Sequence, residues 1–272
     1  MQVTVSTDWL EKNIQDVIVL DASWYMPSEN RDVLNEFKSQ HIPNAQFFDI
    51  DTISDTNSHL PHMFPSPSSF NDHVEKLGAS KNLKIIIYDS DGLFSAARAW
   101  WMFKVMGHNE VFILDGGLPK WISEDKPISV NPQKALHGNF RSIFITSSVV
   151  DAPQVLKTNA QVIDARHPKR FSGEVAEPRV NLKSGHIPNS INIFYKSFLD
   201  EQKCLRPTSE LLAIFASAGI DLNKPIITSC GSGITASIII LALKRLDHIQ
   251  TALYDGSWSE WGLRDDLPIV TN

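Results

Sequence analysis

Short apolar runs bounded by charged, glycine or proline positions recur along the chain, at 17–20, 85–88, 111–114, 162–163, 226–228 and 252–254. Their apolar positions are contiguous rather than alternating, which marks strands buried on both faces. Between them, 69–77, 95–106, 209–218 and 235–246 space their apolar residues at the helical period. Strands alternating with helices predict an α/β chain, with a parallel sheet carrying helices on both faces.

The pattern is written twice. Val17-Ile18-Val19-Leu20-Asp21-Ala22 answers to Gln161-Val162-Ile163-Asp164-Ala165, and His41-Ile42-Pro43-Asn44 to His186-Ile187-Pro188-Asn189. Ile85-Ile86-Ile87-Tyr88-Asp89 answers to Ile226-Ile227-Thr228-Ser229-Cys230, and Leu114-Asp115-Gly116-Gly117 to Tyr254-Asp255-Gly256-Ser257, followed by Trp121 and Trp261. Asp21 and Asp164 lie 143 residues apart, His41 and His186 145, Asp89 and Cys230 141, Trp121 and Trp261 140. A shared order at nearly constant offset predicts two copies of one domain, over 1–128 and 147–272. The stretch 129–146 has no clear period and is expected to link them.

Composition narrows the function. Lys and Arg number 25 against 31 Asp and Glu, a formal charge of −6, with no basic stripe to track a phosphate backbone, so nucleic acid is not an expected partner. The longest apolar run, 238–243, falls far short of the ~20 residues that cross a bilayer. The N-terminus has acids where a signal peptide needs an apolar stretch, and two cysteines suit a reducing compartment. A cytoplasmic protein without membrane contact is expected.

The candidate chemistry sits at Cys230. Lys224-Pro225-Ile226-Ile227-Thr228-Ser229-Cys230-Gly231-Ser232-Gly233-Ile234-Thr235-Ala236 reads as strand, glycine loop and helix start. A cysteine there faces main-chain N–H groups and the positive end of a helix, which favour the thiolate. Gly231 and Gly233 leave room for amides to turn inward, and Thr235 is placed to cap the helix. A cysteine phosphatase would need an arginine closing this loop; Ala236 and Ser237 follow instead, and no arginine comes before Arg245. Cys204 has no comparable setting.

The Cys-Gly-Ser-Gly-Ile-Thr-Ala loop resembles the active-site signature of the 3-mercaptopyruvate sulfurtransferase family, tandem-domain rhodaneses, with Ile234 where valine is more common. The resemblance runs over essentially the whole chain, through Leu20-Asp21-Ala22-Ser23-Trp24-Tyr25, Phe47-Phe48-Asp49-Ile50-Asp51, Ala99-Trp100-Trp101-Met102-Phe103 and Tyr254-Asp255-Gly256-Ser257-Trp258. It implies two rhodanese-like domains and a Cys230 persulfide that carries sulfur from 3-mercaptopyruvate to cyanide, a small thiol or reduced thioredoxin, without metal or organic cofactor. Thiosulfate-using rhodaneses are similar but carry basic residues where this loop has Gly231 and Ser232. Asp89, at the cysteine position of the first copy, implies a catalytically inactive N-terminal domain.

The resemblance also implies roles for other residues. Arg170 and Arg179 match the family's substrate-binding arginines, alongside Gly231, Gly233, Ile234 and Thr235 of the loop. A planar guanidinium fork suits a carboxylate beside a ketone. Asp51 and His62 match positions of a proton relay with Ser232, with a loop residue and a helix cap as the plainer reading. Arg166 and Lys169 match no such role and are expected to be solvated charges. A thiosulfate:cyanide sulfurtransferase and a persulfide-carrying adaptor of little turnover remain as alternatives.

Overall fold

The computed structural model describes residues 1–132 and 134–271; Gln133, within the expected linker, and Asn272 lie outside the described residues. Among the described residues, ten strands form two five-stranded parallel sheets. The first holds β1 (Thr4–Val5), β2 (Val17–Asp21), β3 (Gln46–Phe47), β4 (Lys84–Tyr88) and β5 (Val111–Leu114), in the order β1-β5-β4-β2-β3. The second holds β6 (Val149–Val150), β7 (Gln161–Asp164), β8 (Ile191–Asn192), β9 (Ile226–Ser229) and β10 (Thr251–Tyr254), in the matching order β6-β10-β9-β7-β8. The register repeats too, Leu20 facing Ile87 in one sheet and Ile163 facing Thr228 in the other. The expected α/β repeat is the observed one.

Contiguous apolar strands are explained by what covers them. Ile85 and Ile87 of β4 point into a large core on one face, and Ile86 and Tyr88 into a second core with Leu10, Phe37 and Trp121 on the other. The C-terminal sheet has its own outer core, around Ala152, Tyr254, Trp258 and Trp261. The large inner core is common to both units, running from Leu20 and Ile87 through to Ile226, Cys230 and Leu253. At its centre the helices Ala96–Val105 and Ala236–Arg245 pack against each other. Both are apolar nearly all round, as helices enclosed on every side must be.

The repeated motifs outside Cys230 hold architecture. His41 and His186 are buried, each with Nδ1 against a main-chain oxygen, of Phe37 and Phe171, at 2.8 Å. Their backbones bridge Ser129 and Val270. Trp121 and Trp261 donate Nε1 to Pro127 O at 2.7 Å and Pro268 O at 2.8 Å. The two aspartates of the Asp-Gly pairs reach across the interface reciprocally. Asp115 accepts from the Leu205 amide at 2.9 Å, and Asp255 from the Phe64 amide at 2.7 Å. Each unit thus clamps a loop of the other, and the loop clamped by Asp255 carries His62.

Candidate active site

A cleft of about 440 Å³ opens between the units, walled by Cys230, Gly231, Ser232, Ile234, Thr235, Arg170 and Arg179 on one side and by Trp24, Tyr25 and Phe94 on the other. Cys230 directly follows β9, is 2% exposed and lines the cleft with its thiol free. The loop is fixed from behind. Cys230 N donates to Ser257 Oγ at 3.2 Å, and its carbonyl accepts from the Trp258 amide at 2.9 Å. Gly231 O accepts from Ser259 N at 2.8 Å and Ser259 Oγ at 2.6 Å. The Tyr254-Asp255-Gly256-Ser257 turn is therefore the support for the Cys230 loop.

Gly233 sits at φ +79°, a left-handed conformation that suits glycine. Thr235 takes the N-cap position of Ala236–Arg245 but makes no cap bond, against the expectation from sequence. Its backbone is helical (φ −73°, ψ −21°) rather than extended, so its hydroxyl does not reach back to the helix amides and its side chain lines the cleft.

The expected arginines converge on the loop. A Cβ at Gly231 would lie 3.4 Å from Arg170 Nη2 and 3.7 Å from Arg179 Nη1. Arg179 Nη2 also reaches Ser232 Oγ at 3.4 Å, and burial lowers its pKa despite the pull of Cys230. Ser232 and His62 meet across the domain boundary, Oγ to Nδ1 at 2.9 Å, and His62 Nε2 lies 3.0 Å from Asp51 Oδ1. Asp51 also accepts from Trp24 Nε1 at 3.1 Å, and the neighbouring Asp49, not Asp51, caps the short helix. His62 is 5% exposed, holds φ +61°, and meets Trp24 edge to face at 4.8 Å. Burial pushes its pKa down, against the upward pull of Asp51.

One of the two charges expected to be solvated departs from that picture. Lys169 is exposed as expected, but Arg166 is fully buried. Arg166 is forked onto Asp164 (Nε to Oδ2 3.0 Å, Nη2 to Oδ2 2.7 Å), donates to Glu177 Oε1 at 2.8 Å, and lies 4.2 Å over the Trp258 ring. A single chain of polar letters hides the acid partners that make burial of a guanidinium tolerable. The sequence alone assigns no role at the site to Glu177, Arg98 or Asp255. Arg98 is fully buried, donates to Asp255 Oδ1 at 2.9 Å and to the His62 carbonyl, and stacks 4.2 Å over Phe64. An arginine in the otherwise apolar Ala96-Ala97-Arg98-Ala99-Trp100-Trp101 was the available signal for it. Cys204 packs 3.6 Å from Lys120 Nζ, with burial pushing its thiol up to about 11, well away from thiolate chemistry.

In the first unit the matching loop is occupied by its own side chain. Asp89 accepts amides from Asp91 at 3.0 Å, Phe94 at 2.7 Å and Ala96 at 2.8 Å. Burial raises its pKa while those amides pull it down. The loop geometry is thus one that receives an anion.

Two tandem parallel-sheet units with a cysteine loop at the mouth of the second define the rhodanese class. The rhodanese-like domain family model matches residues 6–124 and 150–264, and the chain belongs to that family. It is 43% identical to the 3-mercaptopyruvate sulfurtransferase of Escherichia coli K12, over 97% of this chain and 96% of that protein. It is 41% identical to the mitochondrial thiosulfate/3-mercaptopyruvate sulfurtransferase 1 of Arabidopsis thaliana, over 97% of this chain and 77% of that one. The crystal structure of SseA from Escherichia coli, described as a 3-mercaptopyruvate sulfotransferase of rhodanese fold, superposes with a TM-score of 0.87 at 41% identity. That match covers 96% of this chain and all of the other. Among the described residues, no helix is long and apolar enough to cross a membrane.

Proposed function

We propose that the protein is a 3-mercaptopyruvate sulfurtransferase that works through a persulfide on Cys230. The observation that carries the reading is an uncharged Cys230-Gly231-Ser232-Gly233 loop facing two arginines, with His62 brought to Ser232 from the other domain. Arg170 and Arg179 hold the donor's carboxylate and polarise its ketone. The Cys230 thiolate attacks the donor sulfur, and the C–S bond breaks with its electron pair moving to carbon. The enolate of pyruvate leaves, stabilised by the same cations, and is protonated. Neutral His62, donating Nε2–H to Asp51, takes the Ser232 proton at Nδ1 as the serine oxygen removes the proton of the donor thiol, and returns it through Ser232 to the enolate carbon.

An acceptor nucleophile, a thiol such as that of reduced thioredoxin, or cyanide, then attacks the outer sulfur and restores the Cys230 thiolate. A reducing compartment such as the cytoplasm keeps that thiol available. A thiosulfate donor is the second reading, favoured by the double name of the Arabidopsis relative. The neutral loop weighs against it, because a dianion draws more from local cations than a monoanion does.

Mass spectrometry after incubation with mercaptopyruvate should find one added sulfur on the peptide containing Cys230. Cys230→Ser should release no pyruvate. Pyruvate release at the unmodified rate from that variant would end the persulfide reading, and a higher kcat/KM for thiosulfate would end the choice of donor.

A further inference from the structure

The donor arginines are not equivalent, and the difference lies in a residue with no place in the relay. The Glu177 side chain is 1% exposed and faces two guanidinium groups. Its Oε1 accepts from Arg166 Nη1 at 2.8 Å and Arg170 Nε at 3.2 Å, and its Oε2 accepts from Arg170 Nη2. Behind it, Arg166 is forked onto Asp164 at the end of β7 and anchored to Gly185 O at 2.8 Å. Asp164, Arg166, Glu177 and Arg170 form a row of alternating charge from the sheet to the cleft, and the row sums to zero. The first unit shows the same position without the arginine. Asp21 there meets the neutral donors Ser23 and Tyr88 instead of a guanidinium, and burial pushes its carboxyl up to about 6.

The other charges lining the cleft also cancel. Arg31 pairs with Glu36, Asp91 lies 3.5 Å from Lys203, and Glu29 and Lys196 have opposite signs. Arg179 has a hydroxyl, Ser232 Oγ, for its partner rather than a carboxylate. The donor pocket thus offers Arg179 without an ion pair of its own, though the Cys230 thiolate and the Asp51 and Glu177 carboxylates act on it at longer range, and a fork at Arg170 whose charge is paired and whose orientation is set from behind.

We propose that Glu177 is a positioning and specificity residue, which orients Arg170 and cancels its charge so that the pocket matches a monoanionic donor rather than a dianionic one. The inference rests on the reading of Cys230 as the sulfur carrier and Arg170 and Arg179 as the donor site. Removing the Glu177 charge raises the net charge of the pocket by one, and a dianion gains twice what a monoanion gains from the same added potential. The loosened Arg170 at the same time loses its aim at a planar carboxylate.

The test is kcat/KM for mercaptopyruvate and for thiosulfate, with cyanide as acceptor, in the full chain and in Glu177→Gln, Arg170→Gln and the double variant. Glu177→Gln should raise the thiosulfate-to-mercaptopyruvate ratio about tenfold or more, chiefly through KM. The double variant, which removes the ion pair together, should return the ratio towards that of the unmodified protein. If Glu177→Gln does not fold, the step from Arg170→Gln to the double variant makes the same change in charge and should raise the ratio by a similar factor. A ratio within about twofold across these steps overturns the inference. Failure of mercaptopyruvate to load Cys230 in the unmodified protein would instead overturn the donor reading beneath it.

Discussion

At the scale of single residues, the sequence exposed the side chains that have a chemical signature and hid those whose work is to hold them. Cys230 was legible because a thiol between a strand and a glycine loop has few other uses, and Arg170, Arg179, His62 and Asp51 through resemblance. Arg166 was misread, because nothing local shows that Asp164 and Glu177 close around it. His62 supports a pH prediction. Burial, and the charges of Arg98 and Arg179, hold its pKa below the ordinary 6.5, Asp51 opposing. The folded protein therefore refuses a proton that the unfolded chain takes, so this group's contribution to stability falls as pH drops below about 6.5 towards the lowered value. Protonation also removes the Nδ1 acceptor from Ser232. Loading of Cys230 should then show an acid limb below pH 6.5, and His62→Gln should slow it by ~100-fold and abolish the limb. Single-turnover pyruvate release across pH checks this, and an unchanged limb in the variant would remove His62 from the relay.

At the scale of elements, the apolar runs located the central strands closely. The run at 85–88 is β4 but for Lys84, and 111–114 is β5. The sheet edges were not legible. β1, β3, β6 and β8 are two residues each, too short to show a period. Glycine spacing marked the Cys230 loop, and Gly233 shows what the spacing is for. At φ +79°, an added Cβ would meet Arg98 Nη1 at 3.0 Å and Asp255 O at 3.5 Å. Gly233→Ala should cost about 1–2 kcal/mol of stability through backbone strain and slow sulfur loading by tilting the loop. Denaturant unfolding alongside single-turnover kinetics reads both, and a variant unaltered in each would show that the left-handed turn is not needed.

At the scale of the whole molecule, the repeat announced two units, but not that they share one core or that the site takes residues from both. That follows from the helix pair Ala96–Val105 and Ala236–Arg245, and from the Arg98–Asp255 ion pair beside it. Arg98→Met leaves Asp255 buried without its cation and frees the His62 carbonyl. The expected loss is about 3–5 kcal/mol, with slower loading as His62 drifts from Ser232. A chemical-denaturation midpoint close to that of the unmodified chain would mean that the pair is dispensable. The carboxylate of Asp89 has a different consequence. It is tied to the chain, so the amides around it can never exchange their guest. One copy of the loop is a lock with its key fused inside, while the other, on the proposed persulfide mechanism, must empty and refill on every cycle. On that mechanism duplication doubles the walls of the enzyme without doubling its cargo, and the ceiling is a single sulfane sulfur per polypeptide.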